Sequence, residues 1–143
     1  GEIAVDSDDL ALEVYDGTRS VLIPMHKTIS LTIWNPDLIT DTLPIFYVDS
    51  NLCPGGVTLL QAELQTPVDG AYTLTLIDFT AADPPVAGAV LNSLIVGASD
   101  TRVTDATGTD ASLAVGEILH INTPASDVDW IILSITYYIN ECN

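Results

Sequence analysis

The feature that most constrains this chain is an apolar period of two residues rather than three and a half. Around Ile29, Leu31 and Ile33 the run I-S-L-T-I-W puts Ser30 and Thr32 on the opposite side. Val57 to Gln65 (V-T-L-L-Q-A-E-L-Q) and Tyr72 to Phe79 (Y-T-L-T-L-I-D-F) follow the same rule. Trp130 to Ile139 (W-I-I-L-S-I-T-Y-Y-I) is dense in β-branched and aromatic residues. These are strand signatures. Further strands are expected at Leu12–Tyr15, Ser20–Ile23, Ile45–Asp49, Leu91–Val96 and Glu117–Asn122. A strand sends successive side chains to opposite faces, so segments of this kind bury their apolar set by stacking one sheet on another.

Turn chemistry separates the segments. Asp16-Gly17 lies between two short apolar runs and fits a hairpin, because Gly accepts positive φ freely and Asp accepts it better than most residues. Pro54-Gly55-Gly56, Asp69-Gly70 and Asp83-Pro84-Pro85 interrupt the middle of the chain, and Ala98–Asp110 reads as its most exposed loop. The one helical signal is a single turn that Asn35-Pro36-Asp37 would cap through Ile39. Short strands at regular spacing with no βαβ rhythm predict an all-β fold, a single antiparallel β-sandwich or jelly-roll-like domain over residues 11–143. Residues 1–10, with the charge cluster D-S-D-D, are expected to form a short N-terminal arm outside it. The 143 residues suffice for one such core.

Charge narrows the partners. Asp and Glu number 20 against 3 Lys and Arg, a formal net charge of -17. Phosphate binding draws its energy from Lys and Arg, so Arg19, Lys27 and Arg102 alone make nucleic acid an unsuitable partner. An anionic membrane surface repels such a chain for the same reason. No apolar run reaches the roughly 18 residues that a membrane-crossing helix needs; Pro84 to Ser99 is the longest and is broken by Pro, Gly, Asn and Ser. Hydrophobic residues make up 48%, well above what disordered chains carry.

No constellation of residues declares a chemistry, so no catalytic residue and no enzymatic activity is expected. The two histidines, His26 and His120, have no G-x-S-x-G elbow to serve, and Cys53 has no positive neighbour to make it a nucleophile. Alternation puts His120 on the solvent or partner side of its strand. Cys53 and Cys142 are too far apart in sequence for a CxxC site. They are read either as a disulfide tying the C-terminal tail to the loop at Pro54, a closure of about 4–5 kcal/mol in the chain-entropy account, or as two unrelated thiols. Metal binding, if any, is expected of Ca2+, which takes carboxylate and carbonyl oxygens. Asp105-Ala-Thr-Gly-Thr-Asp110, with Asp105 and Asp110 as ligands, is the candidate loop, although it does not match the D-x-[DN]-x-[DN]-G pattern with a closing Glu of an EF-hand. No other cofactor is called for. Of the aromatics, Trp34 and Trp130 border turns, and Phe46-Tyr47 and Tyr137-Tyr138 place one ring on each sheet face. One ring of each pair is expected to fill the core and the other to cover an edge or a subunit interface, for which Trp34, Phe46, Trp130 and Tyr138 are the candidates, with a sugar-stacking platform as the alternative.

One resemblance bears on function. Ile33-Trp34-Asn35-Pro36-Asp37, Leu43-Pro44-Ile45-Phe46-Tyr47-Val48, Pro54-Gly55-Gly56-Val57-Thr58, the Tyr72–Phe79 strand and Asp127-Val128-Asp129-Trp130 come in an order that resembles small β-sandwich structural proteins of tailed phages. These include capsid decoration (cement) proteins and fibre-associated modules. The resemblance runs from about Lys27 onward, and its motifs are turns and strands, so it transfers no site residue. It implies a non-enzymatic protein bound to a virion. The scarcity of Lys and the candidate disulfide depart from it and suit an extracellular filament equally well. The expectation is a structural subunit that decorates or builds a viral particle, as a homo-oligomer with a trimer favoured, attached to a larger protein assembly such as a capsid. Its location would be virion or extracellular. The alternatives are a carbohydrate-binding module, calcium-dependent or not, and a filament subunit.

Overall fold

A computed structural model describes residues 2–6, 11–15, 17–18, 20–24, 26–36, 42–49, 55–67, 70–105, 111–122 and 128–140. Twelve strands follow one another: β1 (Glu2–Asp6), β2 (Ala11–Tyr15), β3 (Ser20–Pro24), β4 (His26–Trp34), β5 (Thr42–Tyr47), β6 (Val57–Gln65), β7 (Tyr72–Phe79), β8 (Ala87–Val96), β9 (Arg102–Asp105), β10 (Ala111–Leu113), β11 (Ile118–Asn122) and β12 (Trp130–Ile139). Among the described residues all pairing is antiparallel. One sheet has the order β10-β6-β12-β4, with β9 also paired to β6, and the other has the order β5-β11-β7-β8. The two stack as a β-sandwich, the architecture that period-two alternation predicts.

The core lies between them. Leu64, Leu113, Ile131, Leu133 and Ile135 face it from one sheet, and Leu74, Leu76, Leu94, Leu119 and Ile121 from the other, all fully buried. Phe46 and Tyr137 meet across the layers with ring centroids 5.0 Å apart. The alternation is cleanest in β12, where Ile131, Leu133, Ile135 and Tyr137 are buried and their neighbours half-buried. At Gly56 the chain turns with φ 74°, and a Cβ there would run into the Leu113 carbonyl oxygen, so only Gly lets β6 start beside β10.

Two expectations change. Residues 2–6, expected within an arm, form β1, which pairs with β2 from Glu2↔Tyr15 to Asp6↔Ala11. With β3 they make a third sheet, order β1-β2-β3, whose ladder runs only among its own strands. A boundary at residue 10 therefore falls inside a hairpin. E-I-A-V-D is too short and too charged to announce itself, and its partner supplies what its own pattern lacks. β2 and β3 pair as the expected hairpin requires, with Tyr15 opposite Ser20 and Gly17 at φ 95°, while Asp16 lies outside the described residues. Likewise the Ala98–Asp110 segment contains β9, which lies against the edge of β6 with Val103 opposite Leu64. Of the expected turn after Asn35, Pro36 is a buried 3-10 residue and Asn35 takes φ 47°; residues 37–41 lie outside the described residues.

Candidate functional site

Register decides what each outer face of the sandwich presents. On the β5-β11-β7-β8 sheet, Ile118 of β11 sits opposite both Tyr47 of β5 and Phe79 of β7. His120 sits opposite Pro44 and Ile77, and Ile77 in turn sits opposite Val90 of β8. The result is two adjoining apolar rows, Tyr47–Ile118–Phe79 and Pro44–His120–Ile77–Val90, with Ile95 further along β8. Tyr47, Val90 and Ile95 are 56%, 61% and 71% exposed. His120 stacks on Phe79 with centroids 3.7 Å apart, and its Nδ1 is 2.9 Å from Thr42 Oγ1. Burial beneath these neighbours lowers its pKa from the ordinary 6.5. His120 thus lies on the outer side of its strand, the side that alternation assigns to solvent or a partner, and none of these face residues is an acid.

The opposite outer face, on β4, β12, β6 and β9, is of another kind. Trp130 lies opposite Trp34, Ile132 opposite Thr32, Ser134 opposite Ser30 and Thr136 opposite Thr28. Hydroxyls pair across the strands, 2.7 Å for Ser30–Ser134 and 2.9 Å for Thr28–Thr136. β6 adds Gln65 and Glu63 beside Ile132 and Ser134, and β9 adds Arg102 and Thr104 beside those. Arg102 Nη2 donates to Glu63 Oε2 at 2.7 Å, and Gln65 Nε2 donates to Glu63 Oε1 at 3.2 Å. The guanidinium, followed by the Gln65 amide, holds the Glu63 carboxyl below the usual carboxylate range.

Among the residues of strands β4 to β12, Glu63 is the one acid on an outer face. Of the 20, only Glu63, Asp78 and Asp105 lie within β4 to β12. Asp78 shares the inward parity of Leu119, its partner on β11. Burial, with Glu117 nearby as a second cause, raises its pKa above the ordinary 3.8, and its Oδ1 has no hydrogen-bond partner among the described residues.

The other expected site residues divide accordingly. Trp34 stands out at the end of β4, 69% exposed, with Trp130 half-buried beside it, and Tyr138 is half-buried at the far end of the same face. Phe46 points inward against Tyr137 and serves the core, so it leaves the interface set. Tyr47, its exposed neighbour, is the ring that faces out; choosing between them needed the register that only the pairing of β5 with β11 supplies. Asp105 ends β9 opposite Ala62, while Asp110, Cys53 and Cys142 lie outside the described residues. Among the described residues no group of three His, Cys, Asp or Glu side chains converges on a metal-sized space. No described helix is long and apolar enough to cross a membrane.

No protein-family model matches this sequence, and no curated protein does. Among solved structures, the globular domain of zebrafish complement 1qA protein aligns with a TM-score of 0.43 and 14% identity, over 81% of this chain and 98% of that one. The CBM22-1–GH10 modules of Clostridium thermocellum xylanase 10B, complexed with xylohexaose, align with a TM-score of 0.40 and 14% identity, over 82% of this chain and 26% of that one.

Proposed function

We propose that the protein is a non-enzymatic structural subunit that assembles with copies of itself and decorates or builds a larger particle, viral or extracellular. The observation that carries this reading is the acid-free apolar face of Tyr47, Ile77, Phe79, Val90, Ile95 and Ile118 on a chain of net charge -17. Copies of so acidic a chain repel one another, so they meet where charge is absent, and the adjoining rows of Tyr47, Ile118, Phe79, Ile77 and Val90, with Ile95 beyond the Thr75–Ser93 pair, offer such a place.

Size bears on the symmetry. Strand spacing and rise make this face about 15–20 Å by 20 Å, roughly 300–400 Å² in projection. A stable interface takes about 800 Å² from each partner. One face against its own copy falls short. A closed ring gives each subunit two contacts, and a trimer is the smallest such ring. Light scattering on the eluted protein tests this: a mass of three times 15.2 kDa supports it, and a monomer at high concentration contradicts it.

A second reading, a carbohydrate-binding module, is favoured by one specific arrangement. Trp34 and Trp130 stand in register at the end of a face that also carries paired hydroxyls, the Gln65 amide and one ion pair, with Ile132 among them.

A further inference from the structure

Building on that second reading, we propose that the outer face of β4, β12, β6 and β9 binds a neutral glycan, with Trp34 as its stacking platform. A pyranose ring has a face of C–H bonds and a rim of hydroxyls. The first covers an aromatic ring, and the second needs donors and acceptors held in a fixed plane.

Both are present in adjoining rows. Trp34 is 69% exposed and Trp130 lies beside it. One residue pair along, Thr32, Ile132, Gln65 and Arg102 cross four strands in register, a row about 14 Å long at ordinary strand spacing. The next row carries Glu63, whose two oxygens are engaged by Arg102 and Gln65. This network fixes three polar side chains before any ligand arrives, which lowers the ordering cost of binding. The Arg102 side chain remains 65% exposed, leaving guanidinium N–H groups open to solvent and to a ligand hydroxyl.

Charge selects the class of glycan. Seventeen of the 20 acids lie outside β4 to β12, and the resulting field opposes sulfated, uronic or sialylated chains. Arg102, the one cation on this face's central rows, is already paired with Glu63. A second copy of the chain is a poorer occupant than a glycan, because this face lacks the continuous apolar rows of the other.

The test is a printed array of neutral and anionic glycans probed with the intact chain and with W34A, R102A and T104A. Binding is expected to neutral glycans and not to anionic ones. W34A should weaken it roughly tenfold and R102A a few-fold, with melting temperature and solution mass unchanged. T104A, two rows away from the platform, should bind nearly as the parent does. No binding to any glycan would overturn the carbohydrate reading itself. Binding to anionic glycans alone, or binding that survives W34A, would keep that reading and overturn this assignment of face and ligand. A fall in solution mass for W34A would show a contact between copies and overturn it as well.

Discussion

The two outer faces of this sandwich come from the same alternation and end with opposite characters. On β4 and β12 the outward positions are Thr28, Ser30 and Thr32 against Thr136, Ser134 and Ile132, and their hydroxyls pair off. On β11 and β7 they are Ile118 and His120 against Phe79 and Ile77. A β-sheet has no intrinsic preference for what it shows to water, so the outward Phe and Ile repeated over adjoining strands are the feature on which the proposed contact between copies rests. A fully solvated face needs only hydroxyls. The contrast teaches that inward positions of a sandwich report its fold and outward positions report its work.

The largest effect is expected where the two faces share their support. Leu133, fully buried in the central strand β12, contributes to both, and L133A should cost about 2–5 kcal/mol in denaturant unfolding. A loss below 1 kcal/mol would mean that the two sheets do not pack through this layer. Next comes the apolar face alone. Val90 and Ile95 are exposed on the edge strand β8, so the double variant V90E/I95E should fold with a near-parental melting temperature. Its self-association should weaken by more than tenfold in a concentration series.

Smaller effects come from titration. Asp78 has a raised pKa, so its carboxyl favours the folded state fully below the unfolded value of 3.8 and loses that contribution as pH rises through its folded value. D78N should therefore raise the melting temperature at pH 7, and the gain should vanish in strong acid. His120 has the opposite sign for a basic group. Its lowered pKa favours the neutral ring, so its contribution is present above 6.5 and is lost as pH falls below that value. The stability of the parent relative to H120Q should be greatest at pH 7.5 and shrink by pH 5.5. A flat difference would place His120 in solvent rather than beneath Phe79.

Much of the fold is legible in the sequence. β6, β7 and β12 match their expected spans residue for residue, since each carries enough β-branched and aromatic side chains to show the period on its own. β1, β9 and β10 are not legible: β1 lies in a segment dominated by its charge cluster, β9 and β10 have only four and three residues, and their partners make them strands. The same limit governs the site. Trp34 and Trp130 can be singled out as aromatic residues near turns, but their adjacency exists only through the β4–β12 register. Phe46 and Tyr47 differ by one position, and which of them faces outward follows from the pairing of Tyr47 with Ile118 and the packing of Phe46 on Tyr137. The bulge between Leu119 and His120 shifts that register, and no local residue pattern announces it.

Sedimentation velocity of the parent, V90E/I95E and W34A side by side, over a hundredfold range of concentration, bears most directly on the division of labour between the faces. The account predicts a multimer for the parent and for W34A, and a 15.2 kDa species for V90E/I95E. A parent that sediments as a single subunit throughout, or a multimer undisturbed by two glutamates on β8, would contradict it.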